Sequence, residues 1–123
     1  MRQRQGIDPA TTRRVAVLRA LRLGDLLCAT PALRALRCAL PNAQIALVGL
    51  PWARELAERL ASVDEVIECP GWPGLPDVAD VPATDAPTQM AFLIGMRRRH
   101  LDLAVQLHGS GAVVNPLVAA FGA

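Results

Sequence analysis

The sequence predicts an α/β fold in which helices cover both faces of a parallel sheet. Four short runs rich in Val, Leu and Ile are typical of strands buried in such a sheet. Segments with helical periodicity follow them, and parallel neighbours require crossover connections of this kind. The chain has 123 residues, 52% hydrophobic and 20% charged, as in an ordinary globular domain. We therefore expect one domain over residues 13–123, preceded by a flexible leader at residues 1–12.

The first strand and helix are predicted from a change of period within the first forty residues. Residues 14–19 form a Val-rich run that ends at a turn containing Gly24 and Asp25. From Asp25 onward leucines recur on one helical stripe, which stops at Pro41. Pro31 lies within that stripe and predicts a kink or a late helix start, because proline removes an intrahelical hydrogen bond.

The same alternation continues along the chain. Further strands are predicted at residues 44–49, 65–69 and 101–107, helices at 51–61 and 88–100, and an apolar segment at 112–123. Residues 70–87 hold five of the ten prolines and predict a long surface loop. Thr88 is the expected N-cap of the following helix, and the arginines at 97–99 would oppose its dipole.

Charge is distributed unevenly. The net charge of +2 is too small for a nucleic-acid binder, so no such partner is expected. Residues 1–40 contain eight Arg and two Asp, whereas residues 60–96 contain six acidic and no basic residues. The basic first third suits an anionic membrane surface or a phosphorylated glycolipid; solvated helix faces and a loose tail are the alternative.

Cysteine usage and hydropathy bear on the compartment. Cys28, Cys38 and Cys69 lack the spacing of a metal site or a disulfide framework, so we expect free, mostly buried thiols in a reducing cytoplasm and no bound metal. No apolar run has the length of a membrane span. The expected location is cytoplasmic, with a peripheral contact at the inner membrane as the most that the sequence allows.

Two turns are candidates for binding or catalysis, because ligands of an open parallel sheet lie beyond the carboxyl ends of its strands. Gly24 permits a tight turn, and Asp25 in the cap or first turn of the helix would stay ionised and able to act as a general base. A plain helix cap is the alternative. After the fourth strand, His108, Gly109 and Ser110 could present backbone amides to an anion; a tight turn explains them equally well.

Residues 22–27 (RLGDLL) followed by 30–36 (TPALRAL) closely resemble the opening of the ADP-heptose:lipopolysaccharide heptosyltransferases, glycosyltransferase family 9. Residues 40–45 (LPNAQI), 63–67 (VDEVI) and 101–110 (LDLAVQLHGS) are similar to later landmarks of the same half. The resemblance runs from Arg14 to the last residue. It implies a GT-B enzyme of two facing Rossmann-like domains, of which this chain is the amino-terminal, acceptor-binding half and the nucleotide-sugar half is absent.

The resemblance also implies site roles. Asp25 would take a proton from the acceptor hydroxyl, which attacks the anomeric carbon of heptose with inversion as ADP leaves, without a metal. Gly24 would shape the loop, and His108, Gly109 and Ser110 would line the acceptor site. The donor, ADP-heptose, would bind the absent half, and the acceptor would be lipopolysaccharide core or a similar anionic glycan. We expect this half to be inactive alone. A non-catalytic binding or regulatory module, or an inactive truncated fragment, is the alternative.

Overall fold

The computed structural model describes residues 7–18, 29–49, 53–70, 86–107 and 114–123. Strands and helices alternate strictly in this part of the chain. In order they are β1 (Arg14–Leu18), α1 (Thr30–Ala39), β2 (Gln44–Gly49), α2 (Ala53–Ala57), β3 (Glu65–Glu68), α3 (Ala86–Arg98), β4 (Leu103–Gln106) and α4 (Val114–Ala119). None of these helices has both the length and the hydropathy needed to cross a bilayer.

The four strands form one parallel sheet in the order β3-β2-β1-β4. Strand β1 is central, with β2 on one side and β4 on the other. Its residue Val15 is aligned with Ile45 of β2 and with Leu103 of β4. The parallel sheet predicted from the alternating pattern is therefore confirmed, and strand β2 has the predicted bounds.

Helices cover both faces of the sheet, because successive side chains of β1 point to opposite sides. Val15 and Val17 pack on the α1 face in a buried cluster completed by Leu33, Leu40, Ala43 and Ile45. Ala16 and Leu18 pack on the other face in a cluster with Val48, Cys69, Met96, Leu101, Leu117 and Phe121. The α/β architecture is thus the one expected from the sequence.

Helix α1 shows how the chain accommodates Pro31. The helix begins at Thr30 with Ala29 as its N-cap, so Pro31 lies in the first turn, where a proline costs no hydrogen bond. The late helix start was one of the two expectations for this proline. Leu33 and Leu40 are buried on the sheet side, as the leucine stripe predicted.

Helices α2 and α3 differ from their predicted bounds. Helix α2 ends at Ala57 rather than at residue 61, because the chain turns at once toward β3: Val63 N donates to Leu60 O at 3.3 Å, and both side chains pack on the core. Helix α3 begins at Ala86, so Thr88 lies inside its first turn and is not the N-cap. Pro87 lies in the first turn of this helix instead of ending the preceding loop.

Two aspartates join the strands at the amino edge of the sheet. The Oδ2 atom of Asp102, the residue before β4, accepts the N–H groups of Arg13 and Arg14 at 2.9 Å each. The Oδ2 atom of Asp64, the residue before β3, accepts the N–H of Ile45 at 2.8 Å and a bond from the Arg37 guanidinium. The backbone hydrogen bonds from Arg13 and Arg14 lower the pKa of Asp102 below its usual value.

Candidate functional site

We call the region beyond the carboxyl ends of β1 and β4, where the strand order reverses, the crevice. From β1 the chain moves to β2 and β3 on one side, and then returns to place β4 on the other side of β1. Such a reversal point is where open α/β sheets bind their ligands. At this edge Leu18 is aligned with Gln106, and Leu107 N donates to Leu18 O at 3.0 Å.

The predicted site residues follow these two strand ends in the sequence. Gly24 and Asp25 come after β1, and His108, Gly109 and Ser110 come directly after β4. All five lie outside the described residues. The structure describes the points from which both segments leave the sheet, and these points belong to adjacent, hydrogen-bonded strands.

Helix α1 presents its N-terminus to the same edge, because it carries the chain from the carboxyl end of β1 back to the amino end of β2. Its N-cap residue, Ala29, makes no side-chain capping bond, and the first turn contains no acidic residue. Asp25 lies outside the described residues, so both of its candidate roles, helix cap and general base, stay predictions. The aligned peptide dipoles make this end of α1 electropositive.

Thr30 is a polar residue at this edge that the sequence reasoning did not single out. Its Oγ1 atom is buried and has no hydrogen-bond partner in the described part of the chain. A buried hydroxyl without a partner is uncommon in folded proteins. The available signal was a threonine directly before Pro31 at the start of a helix, a position that favours side-chain bonding to free amides.

Among the four described arginines of the basic first third, three are bonded within the fold. A guanidinium N–H of Arg14 donates to Arg99 O at 2.8 Å, and Arg37 donates to Ala43 O and Asp64. The Nε atom of Arg13 donates to Ala10 O at 3.3 Å. These groups lie at the amino edge of the sheet, away from the crevice. Arg34 remains exposed on α1.

Cavities lined by described residues also lie away from the crevice. One of about 440 Å³ runs along Arg54, Glu58, Leu60 and residues 63–66, beside the amino end of β3. A smaller one of about 110 Å³ lies between the first residues of β1 and β2. The polar groups around them include Asp64, which is already bonded, and Glu65, which pairs with Arg99 at 2.6 Å. These cavities are gaps between groups that hold the sheet together.

The thiols and carboxylates of the described residues form no further reactive site. No three His, Cys, Asp or Glu side chains among them are grouped to hold a metal ion. Cys69 is buried and Cys38 exposed, and both are free, whereas Cys28 lies outside the described residues. Burial raises the pKa of the Cys69 thiol to about 12, which makes it a poor nucleophile.

Comparison with known proteins gives one informative likeness. No family model matches the chain, and no match is found among curated proteins. A solved glycosyl transferase family 9 structure from Veillonella parvula DSM 2008 superimposes with a TM-score of 0.63 at 21% sequence identity. The match covers 94% of this chain and 30% of that one, so the chain spans under a third of the length of its solved neighbour. The chain therefore has the α/β fold of a glycosyltransferase domain.

Proposed function

We propose that this chain is the amino-terminal, acceptor-binding half of an inverting glycosyltransferase. The enzyme would transfer heptose or a related sugar from a nucleotide sugar to lipopolysaccharide core or a similar glycan. The donor, ADP-heptose in this proposal, would bind a carboxy-terminal domain that faces the crevice between β1 and β4. A single half would then bind acceptor without completing the reaction.

The observation that carries this proposal is the strand order at the carboxyl edge of the sheet. Both candidate segments leave adjacent strand ends at the reversal point of the sheet, and Leu107 and Leu18 are hydrogen bonded there. The sequence from residue 22 to residue 36 resembles the opening of the heptosyltransferases and leads from this edge into α1. The fold shared with a family 9 glycosyltransferase structure supports the same assignment.

In the proposed mechanism Asp25 is the catalytic base. Its carboxylate accepts the proton of the acceptor hydroxyl while that oxygen attacks the anomeric carbon, and the bond from this carbon to ADP breaks. Attack from the face opposite the leaving group inverts the configuration. The electropositive end of α1 would favour an ionised carboxylate and an anionic acceptor nearby. Gly24 would let the backbone approach the acceptor closely.

The remaining roles follow from the position of the second segment. His108, Gly109 and Ser110 would offer N–H and hydroxyl groups to acceptor oxygens beside β4. The reaction would take place in the cytoplasm, at or near the inner membrane that holds a lipid-linked acceptor.

The decisive experiment measures sugar transfer by the longest protein that the gene encodes. Wild-type protein and Asp25→Asn are supplied with ADP-heptose and a truncated lipopolysaccharide acceptor. The amide keeps the shape of the side chain but cannot accept the proton, so kcat should fall by a factor of about 10²–10⁴. Asp8→Asn, which changes a carboxylate in the surface turn at Asp8–Thr12, is the matched control and should keep full activity.

Two results would contradict the proposal. Undiminished turnover by Asp25→Asn would remove Asp25 from the mechanism. Acceptor binding by the wild-type protein without any transfer would favour the alternative, a non-catalytic binding module. Calorimetric titration of the same acceptor into both proteins separates these results, because Asp25→Asn should bind acceptor nearly as well as wild type.

A further inference from the structure

Helix α3 is apolar on two sides, although only one side contacts the sheet. Its inner side carries Phe92, Leu93 and Met96, which pack with the core. Its outer side carries Met90 and Ile94, which are 57% and 43% exposed. A helix on the surface of a domain ordinarily has polar residues on its outer side.

The outer side forms a continuous stripe. Pro87, Met90, Ala91, Ile94 and Gly95 are exposed and recur at helical spacing. Nothing lies within 4 Å of the position that a Cβ at Gly95 would take. Met90 and Ile94 are two of the three large hydrophobic residues exposed among the described residues, and they are one helical turn apart. The exposure is therefore concentrated in one patch, which we call the α3 stripe.

Charge at the end of the stripe selects the kind of partner. Helix α3 contains no acidic residue and ends in Arg97 and Arg98. Arg98 is exposed and follows Ile94 by four residues, so it extends the stripe. Arg97 is exposed, and its Nε atom donates to Ala120 O at 3.0 Å. An apolar stripe with arginines at its end complements a membrane surface, where acyl chains lie below anionic headgroups.

A second copy of the chain fits this stripe poorly. Two α3 helices packed face to face would have no carboxylate on either helix to pair with the arginines. The arginines would then lose hydration without gaining a counter-ion. An anionic bilayer supplies that counter-ion at every position along the helix.

We propose that the α3 stripe docks the protein on an anionic lipid surface, with Met90 and Ile94 in the interfacial region and Arg98 among the headgroups. This element differs from the basic first third considered from the sequence, whose arginines 13, 14 and 37 are bonded within the fold. The inference goes beyond the proposed transferase activity and does not depend on it.

The test is vesicle flotation of the 123-residue chain. One set of vesicles is phosphatidylcholine alone, and in the other roughly a third of the lipid is phosphatidylglycerol. Wild type should float with the anionic vesicles, and the floating fraction should fall when salt is raised from about 0.05 M to about 0.5 M. The double substitution Met90→Ser with Ile94→Ser should weaken partitioning by about tenfold, and Arg98→Glu by at least about fivefold.

Matched controls use residues of equal exposure elsewhere. Ile7→Ser changes a side chain that is also 57% exposed, and Arg34→Glu reverses an exposed arginine on α1; both should float like wild type. Circular dichroism checks that each variant is folded. If the double variant does not fold, Arg98→Glu, which alters no apolar contact, still tests the proposal. Equal flotation of the α3 and control variants would overturn the proposal. So would absence of flotation, or a dimer detected by light scattering that the Met90 and Ile94 substitutions abolish.

Discussion

Removing the Phe121 ring tests whether the last described segment belongs to the core. Phe121 is 1% exposed, and its ring meets that of Phe92 edge to face, with centroids 5.8 Å apart and planes at 81°. Phe121→Ala removes the transfer free energy of the ring and leaves a cavity between α3, α4 and the sheet. We expect the free energy of unfolding to fall by about 3–5 kcal/mol. This is a large share of the roughly 5–15 kcal/mol that stabilises a typical domain.

Urea denaturation followed by circular dichroism measures this loss. Phe121→Leu keeps most of the volume and is the matched control, with an expected loss of about 1–1.5 kcal/mol. Phe92 is only partly buried, so Phe92→Ala should cost less than Phe121→Ala. The double-mutant cycle of the two rings should give a coupling of about 0.5–1.5 kcal/mol. A loss below about 1 kcal/mol in Phe121→Ala would refute the packing described for this segment.

Three further predictions follow from the contacts of single side chains. Arg37→Met should lower the free energy of unfolding by about 1–2 kcal/mol, because Ala43 O and Asp64 each lose a charged donor. Arg54→Met should lower it by less than about 0.5 kcal/mol, because the Arg54–Glu68 pair is 3.4 Å long and both side chains are more than half exposed. Equal losses of the two variants in urea denaturation would contradict this ranking. In a Cys28→Ser background a disulfide reagent at pH 8 should modify the exposed Cys38 thiol of the native protein, and the buried Cys69 thiol only on unfolding; rapid modification of both would contradict this. The free energy of unfolding should also fall between about pH 8.5 and 12, because over that range the Cys69 thiol ionises in the unfolded chain alone. Backbone hydrogen bonds lower the pKa of Asp102, so the stability that its carboxylate contributes is present above its unfolded pKa of about 4 and is lost as pH falls through its lower folded pKa. Asp102→Asn should therefore be less stable than wild type at pH 7. If the difference in unfolding free energy between the two proteins did not narrow in acid, the assigned hydrogen bonds would be wrong.

Most of the fold was predictable because the hydrophobic pattern of a fully covered parallel sheet is strong. The four strands were recognised as short apolar runs, and β2 matches its predicted bounds of residues 44–49. Helix ends were less predictable. Helix α2 stops early because Leu60 and Val63 are drawn into the core, and α3 starts at Ala86 because a proline is compatible with a first turn. Both outcomes depend on tertiary contacts that a local pattern does not contain.

The location of the candidate site stays a prediction, because its five residues lie outside the described part of the chain. Strand order places the carboxyl ends of β1 and β4 together, and sequence position alone assigns Gly24, Asp25 and residues 108–110 to segments that follow them. The partners of individual side chains depend on distant residues. The arginines of the first third looked available for an anionic ligand, yet Arg14 and Arg37 bond to carbonyl groups and to Asp64. That the Thr30 hydroxyl lacks a hydrogen-bond partner in the described part of the chain could be recognised only from the structure.

The structure divides the landmarks of the family resemblance into two kinds. Asp64 and Asp102, which belong to the later landmarks, each accept backbone N–H groups of a neighbouring strand at the amino edge. A carboxylate at either position stabilises any domain with this sheet, because it accepts backbone N–H groups there. The two aspartates are therefore evidence for the fold and carry no information about catalysis. Asp25 follows the carboxyl end of β1 in the sequence and lies outside the described residues, so its catalytic role stays a proposal. The case for sugar transfer therefore depends on the segments at the carboxyl edge, and the comparison of Asp25→Asn with wild type tests function where substitutions of Asp64 or Asp102 would test only folding.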